Sequence, residues 1–332
     1  MNEKVNQTLK SADTEDWLDL HVVRPFCYWW AVLFAKLDIH PNTVTILSMF
    51  VGAASAVFFA MGSWYYSLQE TGSIWPGLWM NIIAILLLCL ADIFDCTDGQ
   101  LARMTGKKSR LGRILDGVAG FAWFLPIYHA IVLRFYLHHD IEFAWLGIEN
   151  NETNTWIATA VVFVLGWVSG LAGLAGQQRL ADYYIQVHLF FLKGEKGSEL
   201  DNSKQQQALY DQMTKDTPLV ERLFQKSYIG YTQKQEAKTP EFQRLLVALR
   251  EKYGSSDNIP QAFRDEFRKR SLPVIKWNGL LTFNFRSAWL FLFCLLDIPA
   301  MNFLWEIVGM GLLAWYVNHR HETFCKELRE QL

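Results

Sequence analysis

Cysteine is sparse and unpatterned: Cys27, Cys89, Cys96, Cys294 and Cys325 show no metal-ligand spacing, and most lie in or beside apolar runs. Free thiols are expected, and a disulfide framework is excluded. Net charge is also close to nothing. Lys and Arg number 31 against 33 Asp and Glu, a formal charge of −2, with a pI near 6.5. No whole-chain basic field therefore calls for a nucleic-acid partner. Residues 1–16 lack a basic stretch running into an apolar one and a small-residue cleavage site, so a cleaved signal peptide is not expected. Three interior connections, 62–77, 137–154 and 297–301, contain no Lys or Arg at all.

Apolar residues are what the chain has in quantity. They make up 51% of 332 residues, with 15% aromatic, yet the mean hydropathy is only +0.07. The apolar material must therefore be gathered into blocks between strongly polar ones, the pattern of a membrane protein with soluble extensions. A helix needs about 20 apolar residues to cross a hydrocarbon core of roughly 30 Å. Six stretches approach this: 43–61, 78–94, 114–135, 155–176, 280–296 and 302–317. The fifth contains Arg286 and the sixth Glu306, charges that are costly at membrane depth. The basic residues Lys4, Lys10, Arg24, Lys36, Arg103, Lys107, Lys108 and Arg110 all fall on the side opposite the three basic-free connections. Both termini are accordingly expected in the cytoplasm.

The fold expected is an all-α integral membrane protein of six transmembrane helices. It divides into residues 1–42, 43–176, 177–279 and 280–332. The first segment is a cytosolic N-terminus with an interfacial helix over 24–37, where aromatic and aliphatic residues are flanked by Arg24 and Lys36. The second carries spans one to four. The third, rich in Gln, Lys and Glu with helix-like patches at 241–252 and 261–270, reads as a helical cytosolic insertion. The last holds spans five and six and a cytosolic C-terminus. In the fourth span Gly166, Gly170, Gly173 and Gly176, with Ser169 and Ala172, form a small-residue stripe. Such a stripe serves close helix packing, either in a homodimer or within one bundle.

The chemistry is concentrated where the second span ends. Asp92, Asp95 and Asp98 recur every three residues on one helical face, and Asp116 follows one loop later. Anions crowded at a membrane boundary repel one another unless a cation neutralises them, and oxygen-only donors suit Mg²⁺, Mn²⁺ or Ca²⁺ rather than zinc. Gly99 and Gly112 allow close backbone approach, and Arg103, Lys107, Lys108 and Arg110 offer positive charge to phosphates. Carboxylates, metal and basic groups together describe a site for a pyrophosphate-bearing substrate.

The run Asp95-x-x-Asp98-Gly99-x-x-Ala102-Arg103, eight residues, then Gly112-x-x-x-Asp116 resembles the signature of the CDP-alcohol phosphotransferases. The resemblance takes in the six expected spans, the interfacial helix and His40-Pro41-Asn42-Thr43, but not the 177–279 insertion. It implies an enzyme of phospholipid biosynthesis that moves a substituted phosphate from a CDP-alcohol donor to an alcohol or lipid acceptor and releases CMP. By the same resemblance Asp95, Asp98 and Asp116 bind Mg²⁺ or Mn²⁺, while Gly99, Ala102 and Arg103 line the nucleotide site. One position departs from the signature: a fourth aspartate, the family's presumed base, is replaced by Gly120. Three readings remain open. Asp92 substitutes as the base, the metal activates the acceptor without a protein base, or the chain is a catalytically degenerate relative acting as a CDP-alcohol-binding or scaffold protein.

Overall fold

A computed structural model describes residues 11, 13–14, 19–107, 110–215 and 217–332. The expected basic residues Lys4, Lys10 and Lys108 lie outside the described residues, as does the side chain of Arg110. All regular structure among the described residues is helical. In chain order it comprises α1 (Arg24–Lys36), α2 (Pro41–Ala60), α3 (Trp64–Thr71), α4 (Trp75–Thr105), α5 (Arg110–Leu137), α6 (Asp140–Leu146), α7 (Glu152–Val168) and α8 (Gln178–Lys193). There follow α9 (Ser203–Asp211), α10 (Leu219–Lys238), α11 (Pro240–Tyr253), α12 (Gln261–Gly279), α13 (Phe283–Leu295), α14 (Met301–Leu304) and α15 (Met310–Glu330).

Local chemistry sets the boundaries that matter for the site. Proline opens α2 at Pro41, where a missing N–H costs nothing, and His40 Nδ1 accepts from the Asn42 N–H at 3.2 Å to cap it. Pro76 sits in the first turn of α4, which runs 31 residues before Gly106, at φ +69°, ends it in the left-handed region. That helix is about 47 Å long, so roughly a third of it exceeds what a hydrocarbon core of about 30 Å needs. Asp95 and Asp98 fall in that final third, and Asp92 lies one turn before it.

Among the described residues, four helical stretches are long and apolar enough to cross a membrane: Pro41–Ala60, Trp75–Thr105, Leu115–Leu137 and Glu152–Lys193. The fifth and sixth expected spans do not reach that standard. Helix α13 has only 13 residues, about 20 Å. Residues 302–317 are helical, but Asn302 and Glu306 interrupt their apolar run and the polar stretch from Asn318 follows at once.

The chain forms two compact units, residues 1–174 with 283–309, and residues 175–282 with 310–332. In the first, α2 packs against both α4 and α5. Gly52 permits the closeness, since a Cβ there would stand 2.2 Å from Trp123 Cδ1. The core around it includes Phe59, Leu88, Phe124, Ile131 and Phe303. Two buried ion pairs are embedded in this apolar body. Arg134 pairs with Asp297 and donates to Asn81 Oδ1 at 2.9 Å, while Asp297 also accepts from Ser63 Oγ at 2.9 Å. Arg286 pairs with Glu306 at 3.1 Å, both wholly buried.

The small-residue stripe is spent inside this unit. A Cβ on Gly166 would meet the Phe303 ring at 3.2 Å, one on Gly170 the Tyr128 ring at 3.8 Å, and one on Gly173 the Arg286 guanidinium at 3.6 Å. The homodimer allowed by the sequence is thus not supported, because these glycines already face neighbours in their own chain. In the second unit, α15 packs on α11 and α12, and α8 on α12. Phe242, Leu245, Phe267 and Leu328 are buried there. The C-terminal helix groups with residues 175–282.

Candidate active site

Helix α1 meets α4 at the level of the carboxylates. Cys27 Sγ donates to the Ile93 carbonyl at 3.4 Å, and Gln100 Nε2 to the Arg24 carbonyl at 3.3 Å. Trp30 and Phe34 lie against Phe94, with ring centroids 5.5 and 6.1 Å apart. This seam brings the Arg24 guanidinium into electrostatic reach of Asp92 and Asp95. Asp19, just before α1, also acts on Asp92.

The aspartates differ in surroundings. Asp98 is buried and accepts a short hydrogen bond from Thr45 Oγ1, on the first turns of α2. That hydroxyl is itself held 3.2 Å from the Pro41 carbonyl. Asp95 is half-buried and sits within the fields of Asp92, Asp98 and Asp116 together. Asp116, on the first turns of α5, is exposed and acts on both Asp95 and Asp98. The turn at Gly106 thus lets α4 and α5 converge their carboxylates.

Among the residues expected at a nucleotide site, Gly99 leaves room for Arg103 to fold back along α4, its NH1 lying 3.3 Å from where a glycine Cβ would be. From there the guanidinium acts on Asp98. Ala102 and Gly112 are half-buried, the latter in the opening turn of α5. Lys107 is engaged elsewhere: its Nζ pairs with Asp38 Oδ1 at 2.6 Å. Asp38, in the left-handed region at φ +53°, has its carboxyl held below the usual range by that ammonium. Gly120 lies half-buried one helical turn beyond Asp116.

The donor set fits a hard divalent ion. Its ligand atoms are carboxylate oxygens, and Asp95 Oδ1 is buried without a hydrogen-bond partner. An acceptor left in that condition costs on the order of 1–3 kcal/mol, more when charged, unless something occupies it. Sequence reasoning missed Thr45 and treated Arg24 only as an orientation marker. The sole trace of Thr45 was its place two residues after the His40-Pro41-Asn42-Thr43 run.

Comparison with known proteins bears on the same segment. A 108-residue alignment at 32% identity relates the chain to cholinephosphotransferase 1 of Saccharomyces cerevisiae. It takes in 32% of this chain and 25% of that relative, so the matched segment is about a quarter of the relative's length. Residues 38–165, which include Thr45 and all four aspartates, match the CDP-alcohol phosphatidyltransferase family.

Proposed function

We propose that this protein transfers a substituted phosphate from a CDP-alcohol to an acceptor alcohol in phospholipid biosynthesis. The acceptor oxygen forms a new bond to the donor phosphorus, and the bond to CMP breaks. Asp95, Asp98 and Asp116 would hold Mg²⁺ or Mn²⁺, which supplies positive charge to the pyrophosphate. The partnerless Asp95 Oδ1, surrounded by three further carboxylates, is the observation that carries this reading. Thr45 fixes the rotamer of Asp98, and Arg103, folded over Gly99, is placed to meet phosphate oxygens.

The membrane arrangement extends the proposal. The site and both termini lie on the cytoplasmic face, where the basic residues gather. Helix α1 rests in the interface with Phe26 and Trp29 outward. Residues 280–296 and 302–317 would supply the two further spans of the expected six. A soluble nucleotide can then meet a lipid at the boundary.

A second reading has its own support. Gly120 offers no carboxylate to take the acceptor proton, which favours a chain that binds CDP-alcohols without turning them over. Asp92 is the remaining carboxylate of the cluster. Purified protein incubated with CDP-choline or CDP-diacylglycerol, a panel of alcohol acceptors and Mg²⁺ should release CMP. Asp95→Asn, Asp98→Asn and Asp116→Asn should each abolish that release while membrane expression persists. Donor binding without CMP release across the panel would establish the second reading in its place.

A further inference from the structure

Helix α15 carries another set of ligating side chains. His321 and Cys325 are one turn apart on the same face, Glu322 adjoins His321, and one donor atom from each lies within 4.8 Å of the other two. His321 Nδ1 stands 3.3 Å from Glu322 Oε1 and 3.8 Å from Cys325 Sγ. A tetrahedral zinc ion with nitrogen and oxygen at about 2.0–2.1 Å and sulfur at about 2.3 Å sets ligand-to-ligand edges of roughly 3.3–3.6 Å. The two edges from His321 are already close to those values.

Its orientation is built in. The Glu241 N–H, at the start of α11, donates to Glu322 Oε2 at 2.6 Å, which leaves Oε1 toward the imidazole. The His321 ring is enclosed by Tyr184, Phe242 and Phe324, at centroid distances of 4.4, 5.7 and 5.0 Å. The imidazole is buried, with 2% of its surface exposed. Histidine nitrogen with thiolate sulfur selects a borderline ion over Mg²⁺, and a single carboxylate is compatible with that choice. Glu322, with 14% of its side chain exposed, gives the ion and a fourth, water ligand a way in.

We propose that His321, Glu322 and Cys325, all on α15, bind one Zn²⁺ ion. Full-length protein in detergent, stripped with chelator, is titrated with Zn²⁺, and with Co²⁺ as a spectroscopic stand-in. The wild type should take up Co²⁺ with a thiolate-to-cobalt absorption band and show a rise of several degrees in unfolding temperature with Zn²⁺. Cys325→Ser should lose the band, and Glu322→Gln should weaken Zn²⁺ binding tenfold or more. Divalent binding by the oxygen-only aspartate cluster gives no such band. A wild type without the band, or a band that survives in Cys325→Ser, overturns the proposal. Should the variants fold poorly, the wild-type spectrum and its zinc content by mass spectrometry after dialysis still decide.

Discussion

Arg286 on α13 and Glu306, in the π-helical turn after α14, face each other across 3.1 Å with neither side chain exposed. Glu306 also accepts from Tyr128, Ser169 and Asn302, so its charge is met from three further directions. Removing one member leaves the other charge buried and unmatched, whereas removing both does not. Arg286→Met alone should destabilise the protein by about 3–5 kcal/mol. The double variant Arg286→Met with Glu306→Leu should recover much of that loss. Unfolding of the wild type, both single variants and the double variant in detergent gives the coupling. Additive losses would mean that the pair is incidental.

That pair also shows where the sequence stops being legible. Read singly, Arg286 and Glu306 count against two spans; only the fold shows that each cancels the other, across 20 positions of chain. The small-residue stripe announces close packing but cannot name its partner, because the same glycines suit a neighbour or another chain. The aspartate cluster was legible because helical periodicity places residues three apart on one face. Thr45 was not, since its bond to Asp98 bridges 53 positions. Scanning for paired cysteines likewise passed over His321-Glu322-x-x-Cys325, whose donors converge only once the segment is helical.

The stripe yields a prediction of its own. A leucine at 166 would drive its side chain into the Phe303 ring, already 3.2 Å from the position of a Cβ. Gly166→Leu should cost about 1–3 kcal/mol of stability through overpacking. Its oligomeric state should match that of the wild type. Light scattering on detergent-solubilised protein checks the second point, and a wild-type dimer converted to monomer by this change would reverse the intramolecular assignment.

Glu142 on α6 predicts a pH dependence. Burial, reinforced by the charge of Asp297, raises its pKa from 4.5 to about 8. Between those values the folded state keeps a proton that the unfolded state has lost, so stability declines as pH rises from about 4.5 to about 8. The loss complete at the upper end should be on the order of a few kcal/mol. Glu142→Gln, which cannot ionise, should flatten this part of the profile and raise the denaturation midpoint at pH 8. Denaturant unfolding across that range is the measurement, and parallel profiles for the two proteins would exclude Glu142 as the source.

If the proposed transfer holds, position 120 bears on how the acceptor would lose its proton. One turn separates it from Asp116, so an aspartate there shares the face that Asp116 turns toward Asp95 and Asp98. Asp92 is placed differently. Its charged neighbours are Asp19 and Arg24, at the α1 seam, together with Asp95. Gly120→Asp should therefore raise CMP release from a CDP-alcohol by about tenfold or more, up to the 10²- to 10⁴-fold typical of a positioned base. Asp92→Asn should reduce release by less than tenfold, through a weaker hold on Arg24. The opposite pattern, a level or lower rate for Gly120→Asp with Asp92→Asn severely impaired, would identify Asp92 as the base. Release indifferent to both changes would leave the proton to an acceptor activated without any protein carboxylate.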